Sequence, residues 1–262
     1  MLRRSFLSIF PALGLASADD PVELLVQGAL NIEIQPLLDA LEGSRTVQIA
    51  SWTFWEGRIG RKRVVVSRTE MGPINAVAAT VLGIERYKPK LVINQGTAGA
   101  NNPDLRLYDI VLGDRTVDYS GYTSQHSGAE TGIHPNNWKP SAHSLRLNGK
   151  DLKSFPNFTG DAGTIEIASV MKNPRGRVVR GTIGSAFQIN REIDMIASIR
   201  SRYGTDCEDM ESAFAHGAAL GLGTRFLAIR MISDSEYTHS TFERIAGQYC
   251  AEFVLDVIRR LP

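Results

Sequence analysis

A chain of 262 residues with 29 Lys and Arg against 28 Asp and Glu carries a formal net charge of +1. That balance gives no electrostatic reason to hold a nucleic acid or an anionic membrane surface. Two cysteines, Cys207 and Cys250, and five scattered histidines exclude a disulfide-dense scaffold and lack the spacing of a metal centre. The expected partner is therefore a small molecule, with no metal and no cofactor.

The start of the chain differs in kind from the rest. Arg3-Arg4-Ser5-Phe6-Leu7 leads into an apolar run to Leu15, then Ala16-Ser17-Ala18 before Asp19-Asp20. Paired arginines, an apolar centre and small residues at a cleavage point predict an export signal over residues 1–18, of the twin-arginine type. The alternative is a cytoplasmic protein with an apolar start. The run is too short for a membrane span, which needs about 20 residues. Residues 19–262 then read as one α/β domain, placed in the periplasm or outside the cell. Cys207 and Cys250 read as buried free thiols, with a disulfide as the alternative in an exported protein.

Strands and helices alternate along that domain. Residues 22–27 predict a buried strand, and Ile34, Leu37, Leu38 and Leu41 recur at helical spacing over 31–41. Strands follow at 51–56 and 63–67 around a turn at 57–60, then an Ala-rich helix at 74–87. A short apolar strand at 90–94 runs into the glycine loop Gln95-Gly96-Thr97-Ala98-Gly99-Ala100. Residues 109–112 and 116–119 look extended, and 120–141 is loop-rich. Helices are predicted at 193–202, 212–220 and 241–261, with a strand at 225–232. This order predicts a mixed central sheet with helices on both faces, where ligands sit beyond the strand ends.

Three strand ends deliver polar groups after apolar runs: residues 28–33, 94–99 and 232–234. Asp209-Met210-Glu211 joins them before a helix. Taken alone, Glu33 is a helix-start carboxylate and Asp234 a cap or turn residue. The glycine loop lacks both the dinucleotide fingerprint and the lysine of a triphosphate loop.

Taken in order, these segments resemble the nucleoside phosphorylase/hydrolase superfamily, and within it the 5′-methylthioadenosine/S-adenosylhomocysteine nucleosidases. The matching pieces are Gly28-Ala29-Leu30-Asn31-Ile32-Glu33, Met71-Gly72-Pro73, Asn94-Gln95-Gly96-Thr97-Ala98-Gly99-Ala100, Asp109-Ile110-Val111, Ala186-Phe187-Gln188-Ile189-Asn190, Asp209-Met210-Glu211-Ser212-Ala213 and Ile232-Ser233-Asp234. The resemblance implies a three-layer α-β-α domain with a mixed, partly barrel-like sheet, and a homodimer or larger assembly. The 120–141 loop would be able to reach a neighbouring pocket.

By the same resemblance, Asp234 is the general acid for N7 of adenine and Glu33 the general base for water. Glu211 and Asp209 would serve the sugar, with Met210 packed against it. Phe187 would stack near the base, and the backbone of Gln188 would read the base edge. Met71 would line the 5′ pocket, Thr97, Ala98 and Gly99 would form the floor, and Ser233 would sit beside the acid. N-glycosidic cleavage passes through an oxocarbenium-like state, and two carboxyl groups of opposite protonation state suit it.

Two alternatives stand beside this. One is a phosphorylase that draws a cation from Arg68, Arg115 or a partner subunit. The other is a non-catalytic nucleoside-binding or storage protein. Asn94 stands where phosphorylases commonly place an arginine, and a carboxylate at Glu33 would repel a phosphate dianion. The chain also departs from the nucleosidases at Leu30, Asn31, Ile32, Gln188 and Asp209.

Overall fold

The apolar run Leu24–Gly28 forms β1, with every residue buried. The computed structural model describes residues 21–262, and the export segment predicted at residues 1–18 lies outside them. Helix α1 (Asn31–Asp39) starts as soon as β1 ends, because the Glu33 carboxylate accepts the free N–H groups of Ala29 and Leu30. An antiparallel ribbon follows: β2 (Glu42–Ile49), β3 (Trp52–Ile59) and β4 (Lys62–Arg68). Helix α2 (Pro73–Tyr87) opens on a proline suited to a first turn. It leads into β5 (Leu91–Ala100) and then β6 (Ile110–Asp118).

Residues 119–157 leave the sheet as an excursion carrying two small hairpins. The chain returns as β7 (Phe158–Thr159), α3 (Ala162–Ser169), β8 (Val178–Ser185) and α4 (Ile193–Tyr203). It finishes with β9 (Cys207–Asp209), α5 (Ser212–Gly221), β10 (Arg225–Asp234) and α6 (Ile245–Arg260).

The ten strands make one mixed sheet that partly closes on itself. β10 pairs with β5 and β6, β6 with β8, β8 with β9, and β9 returns to β5. From β5 the sheet fans out through β1 to β4, β3 and β2. Helices α1, α3 and α6 cover one face and α2 and α5 the other. The three layers and the partly barrel-like sheet are those the resemblance implied. Among the described residues, no helix is long and apolar enough to cross a membrane. Cys207 and Cys250 are buried free thiols.

Several boundaries differ from the sequence expectation. Residues 96–99 are extended and belong to β5, where parallel pairing with β10 carries the strand past the apolar run. β6 continues through 113–115, joining two predicted pieces. α6 begins at Ile245, since the preceding loop turns inward so that Glu243 N–H donates to the Ser233 carbonyl (2.9 Å). β2 is mostly exposed and polar, so no periodicity announced it; pairing with β3 creates it.

Phe54 lies fully buried against Tyr87, with ring centroids 5.7 Å apart. Phe54→Ala is expected to cost about 3–5 kcal/mol. Urea unfolding checks this, and a loss below about 1 kcal/mol would show that the ribbon is not anchored through Phe54.

Candidate active site

β1, β5 and β10 run parallel and in register, with Gln27 and Ala228 both opposite Asn94. Their carboxyl ends therefore open on the same side. There they border a cavity of about 420 Å³ lined by Glu33, Met71, Thr97, Ala98, Gly99, Gln188, Asp209, Met210, Glu211, Ser233 and Asp234. The fold thus gathers nearly all the predicted residues from segments far apart in the chain. Phe187 is the exception. Its ring is 69% exposed, rests over Gly72 and lies outside the cavity lining.

Glu33 reaches the cavity from the first turn of α1 and is 3% exposed. Its Oε2 accepts the N–H groups of Ala29 (2.7 Å) and Leu30 (2.9 Å). Its Oε1 accepts from Thr97 N–H (3.1 Å) and the Thr97 hydroxyl (3.4 Å). The Gln95 amide donates to the Glu33 carbonyl (2.5 Å), tying α1 to β5. Gly96 makes this approach possible, because a Cβ there would stand 2.6 Å from Glu33 Oε1. Gly247 on α6 is equally constrained, with its absent Cβ 2.8 Å from Glu33 Cγ.

Asp234 ends β10 beside Ser233. The Ser233 hydroxyl lies 2.6 Å from Asp234 Oδ1 and 3.2 Å from the Ala98 carbonyl. One hydroxyl proton cannot serve two acceptors fully. The Ser233 hydroxyl donates to Asp234 Oδ1, with the Ala98 carbonyl as its alternative acceptor. Burial pushes the Asp234 carboxyl above its ordinary range and nearby Glu236 adds to the shift, while the Ser233 bond and Arg191 oppose it. The cause is the loss of hydration on burial, which penalises the charged form.

The wall facing Glu33 is built around a cation. Arg230 is 2% exposed; its Nε donates to Asp209 Oδ2 (2.7 Å) and its remaining N–H groups reach Asn94 Oδ1 (2.5 Å) and the Asn94 carbonyl (3.1 Å). Asp209 also accepts from the Ser185 and Ser212 hydroxyls and from the N–H groups of Glu211 and Ser212. Its acceptors are thus consumed inside the protein, and it acts here as the brace of Arg230 and of the start of α5. Glu211 stays available: Oε1 accepts Gly72 N–H (2.8 Å) and Oε2 stands 4.0 Å from Arg230. Burial and Asp209 push the Glu211 carboxyl up to about 7.

Arg230 and Glu208 line the cavity without having been singled out in the sequence. The signal for Arg230 was present: a lone arginine inside the apolar stretch 226–232 must find a buried partner. The cations first considered for an anion site do not line the cavity; Arg68 pairs with Glu70 (2.7 Å) and Asn31 (2.8 Å). Arg191, a second cavity cation, is committed to Glu236 (2.9 Å).

A carboxyl whose folded value is raised binds a proton that the unfolded chain has released, so it favours folding at low pH and loses that contribution as pH rises. For Glu211 the window runs from its ordinary 4.5 to about 7. Wild-type stability is expected to fall by roughly 1–3 kcal/mol through this group between those values, and Glu211→Gln to flatten the decline. Urea midpoints at several pH values check this; an equal decline in the variant would refute it.

The chain matches the Phosphorylase superfamily over residues 21–259. The 5′-methylthioadenosine/S-adenosylhomocysteine nucleosidase of Bacillus licheniformis is 26% identical over 250 residues, covering 92% of this chain and 100% of that protein. Among solved structures, the nucleosidase of the same name from Neisseria meningitidis, in complex with methylthio-immucillin-A, gives a TM-score of 0.74. It is 24% identical and covers 92% of this chain and 100% of that one. Futalosine hydrolase of Helicobacter pylori gives 0.73 at 18% identity, covering 92% of this chain and 99% of that one. With its partly closed sheet and its site at the shared strand ends, the chain belongs to the Phosphorylase superfamily.

Proposed function

We propose that this protein hydrolyses the N-glycosidic bond of adenine nucleosides such as 5′-methylthioadenosine or S-adenosylhomocysteine, releasing adenine. One observation supports this reading: Glu33 and Asp234 enter one cavity from different strand ends in unlike surroundings, the first accepting from four donors, the second a carboxyl raised by burial. The names of the relatives agree with it.

Asp234 gives its proton to N7 as the bond between C1′ and N9 breaks, so adenine leaves as a neutral base. Positive charge gathers on the sugar ring, where Glu211 and Glu33 oppose it. Glu33 takes a proton from water as the water oxygen bonds to C1′, leaving a free ribosyl sugar. Glu211 holds the ribose hydroxyls. Leu30 and Met71 adjoin the Glu33 and Glu211 contacts and give the 5′ end of the cavity an apolar lining suited to a thioether.

Hydrolysis is favoured over phosphorolysis by charge. Both cavity cations are already paired, Arg230 with Asp209 and Arg191 with Glu236. Adding a phosphate dianion beside Glu33 and Glu211 would be repulsive. A mere binding protein has no use for a matched acid and base. The apolar rim of Met71, Ile74, Phe187, Ile189 and Ile193, each about half or more exposed, supports a homodimer or larger assembly that covers it.

In phosphate-free buffer, the protein is expected to release free adenine and a free ribosyl sugar; turnover only with phosphate would make it a phosphorylase. Asp234→Asn and Glu33→Gln are each expected to lower kcat by about 10²–10⁴-fold with the fold intact. Full activity in either variant would remove that residue from the mechanism.

A further inference from the structure

Beside Asp234 the cavity holds a further carboxylate that bond cleavage does not use. Glu208 of β9 pairs in register with Gly99 of β5, and Asp234 of β10 pairs with the same Gly99 from the other side. A Cβ at Gly99 would lie 3.2 Å from Asp234 Oδ2 and 3.9 Å from Glu208 Cγ. The two side chains therefore flank one floor residue, and both line the cavity.

Asp234 faces the reaction, whereas Glu208 faces a clamp. Its carboxylate accepts from Asn190 Nδ2 (3.1 Å to each oxygen), Asn101 Nδ2 (3.0 Å), the Tyr119 hydroxyl (3.2 Å) and Asn190 N–H (3.4 Å). Asn101 and Tyr119 are buried, and Asn101 N–H is itself fixed to the Asp206 carbonyl (2.9 Å). The Glu208 end of the clamp is thus rigid. Asn190 is its other jaw.

Asn190 belongs to the connection between β8 and α4, of which residues 188–191 line the cavity. Apolar burial does not hold this wall in place, since Phe187 and Ile189 are 69% and 78% exposed. Its upstream end is tied by Ala186 N–H to the Asp209 carbonyl (3.1 Å), and Arg191 spans the mouth to Glu236 and to the Ser240 carbonyl. The Arg191 pair is exposed on the arginine side, where ion pairs contribute little. The shielded bonds of Asn190 to Glu208 and to the Tyr119 hydroxyl (3.0 Å), itself held by Glu208, are then the main restraint on the wall.

We propose that Glu208 is a positioning residue for the base: through Asn190 it holds residues 188–191 as a wall against the purine and so sets how tightly the base is bound. The role rests on the nucleosidase reaction proposed above. Glu208 takes no part in proton transfer, so its loss weakens substrate and adenine binding and leaves the chemical step intact.

Three variants test this: Glu208→Gln, Asn190→Asp and the double variant. Glu208→Gln would leave the donors of Asn101, Tyr119 and Asn190 competing for a single acceptor oxygen. Asn190→Asp would set a second carboxylate against Glu208. The double variant reverses the pair, with the glutamine amide donating to the new carboxylate. Measurements are KM and kcat for 5′-methylthioadenosine, adenine Kd by calorimetry, and Tm.

Each single variant is expected to raise KM and adenine Kd about tenfold or more while kcat stays within about threefold. The double variant is expected to return both to within about threefold of wild type. Wild-type KM and Kd in the single variants would overturn the proposal. So would a joint fall of kcat and Tm that the double variant does not repair, which would make Glu208 a fold element only. Wild-type protein that neither cleaves the nucleoside nor binds adenine would sink the adenine reading itself, an outcome distinct from active wild type with indifferent variants.

Discussion

The structure turns on the burial of one positive charge. Arg230 sits in the middle of β10 with 2% of its surface exposed, where an unpaired guanidinium would cost several kcal/mol. Its partners come from two neighbouring segments: Asp209 at the end of β9 and Asn94 in β5. These strands belong to the closing ring, so the pair can form only when β5, β9 and β10 have come together. Asp209 also accepts the first N–H groups of α5. The same contact therefore closes the ring, starts a helix and fixes the wall of the cavity.

That arrangement sets the electrical character of the site. Asp209, Glu211 and Glu33 all act on the single Arg230 cation, leaving the sugar end of the cavity negative on balance. In the proposed reaction that charge would disfavour an anionic nucleophile and stabilise a cationic sugar, the combination that hydrolysis through an oxocarbenium-like state requires. At the base end, Asp234 and Glu208 are both raised by burial. They separate into different tasks through their hydrogen bonds. Asp234 has the single partner Ser233 and faces the cavity, while Glu208 is saturated by Asn101, Asn190 and Tyr119.

Glycine allows acidic groups to stand this close to the sheet. A Cβ at Gly96 would meet Glu33 Oε1, and one at Gly99 would press on Asp234. These glycines lie in β5, the strand shared by the ring and the open part of the sheet. What reads in the sequence as a glycine loop is extended backbone with its side-chain volume removed, so that carboxylates occupy the space.

The sequence by itself determined the alternation of strands and helices, because burial on one face imposes a periodicity that survives in the residue order. It also carried Glu33, Glu211 and Asp234, each placed directly after an apolar strand or before a helix. The ordered motifs around them were enough for the superfamily. It did not announce β2, whose polar residues are strand only through pairing with β3, nor β9, which is three residues long. Tertiary structure alone decided that Asp209 braces Arg230, that Phe187 lies over Gly72 outside the cavity, and that Glu208 clamps Asn190. For Asp209 and Glu208 the physical reason is the same. A buried polar group takes its role from the partners that neutralise it, and in this site those partners lie up to 139 positions away.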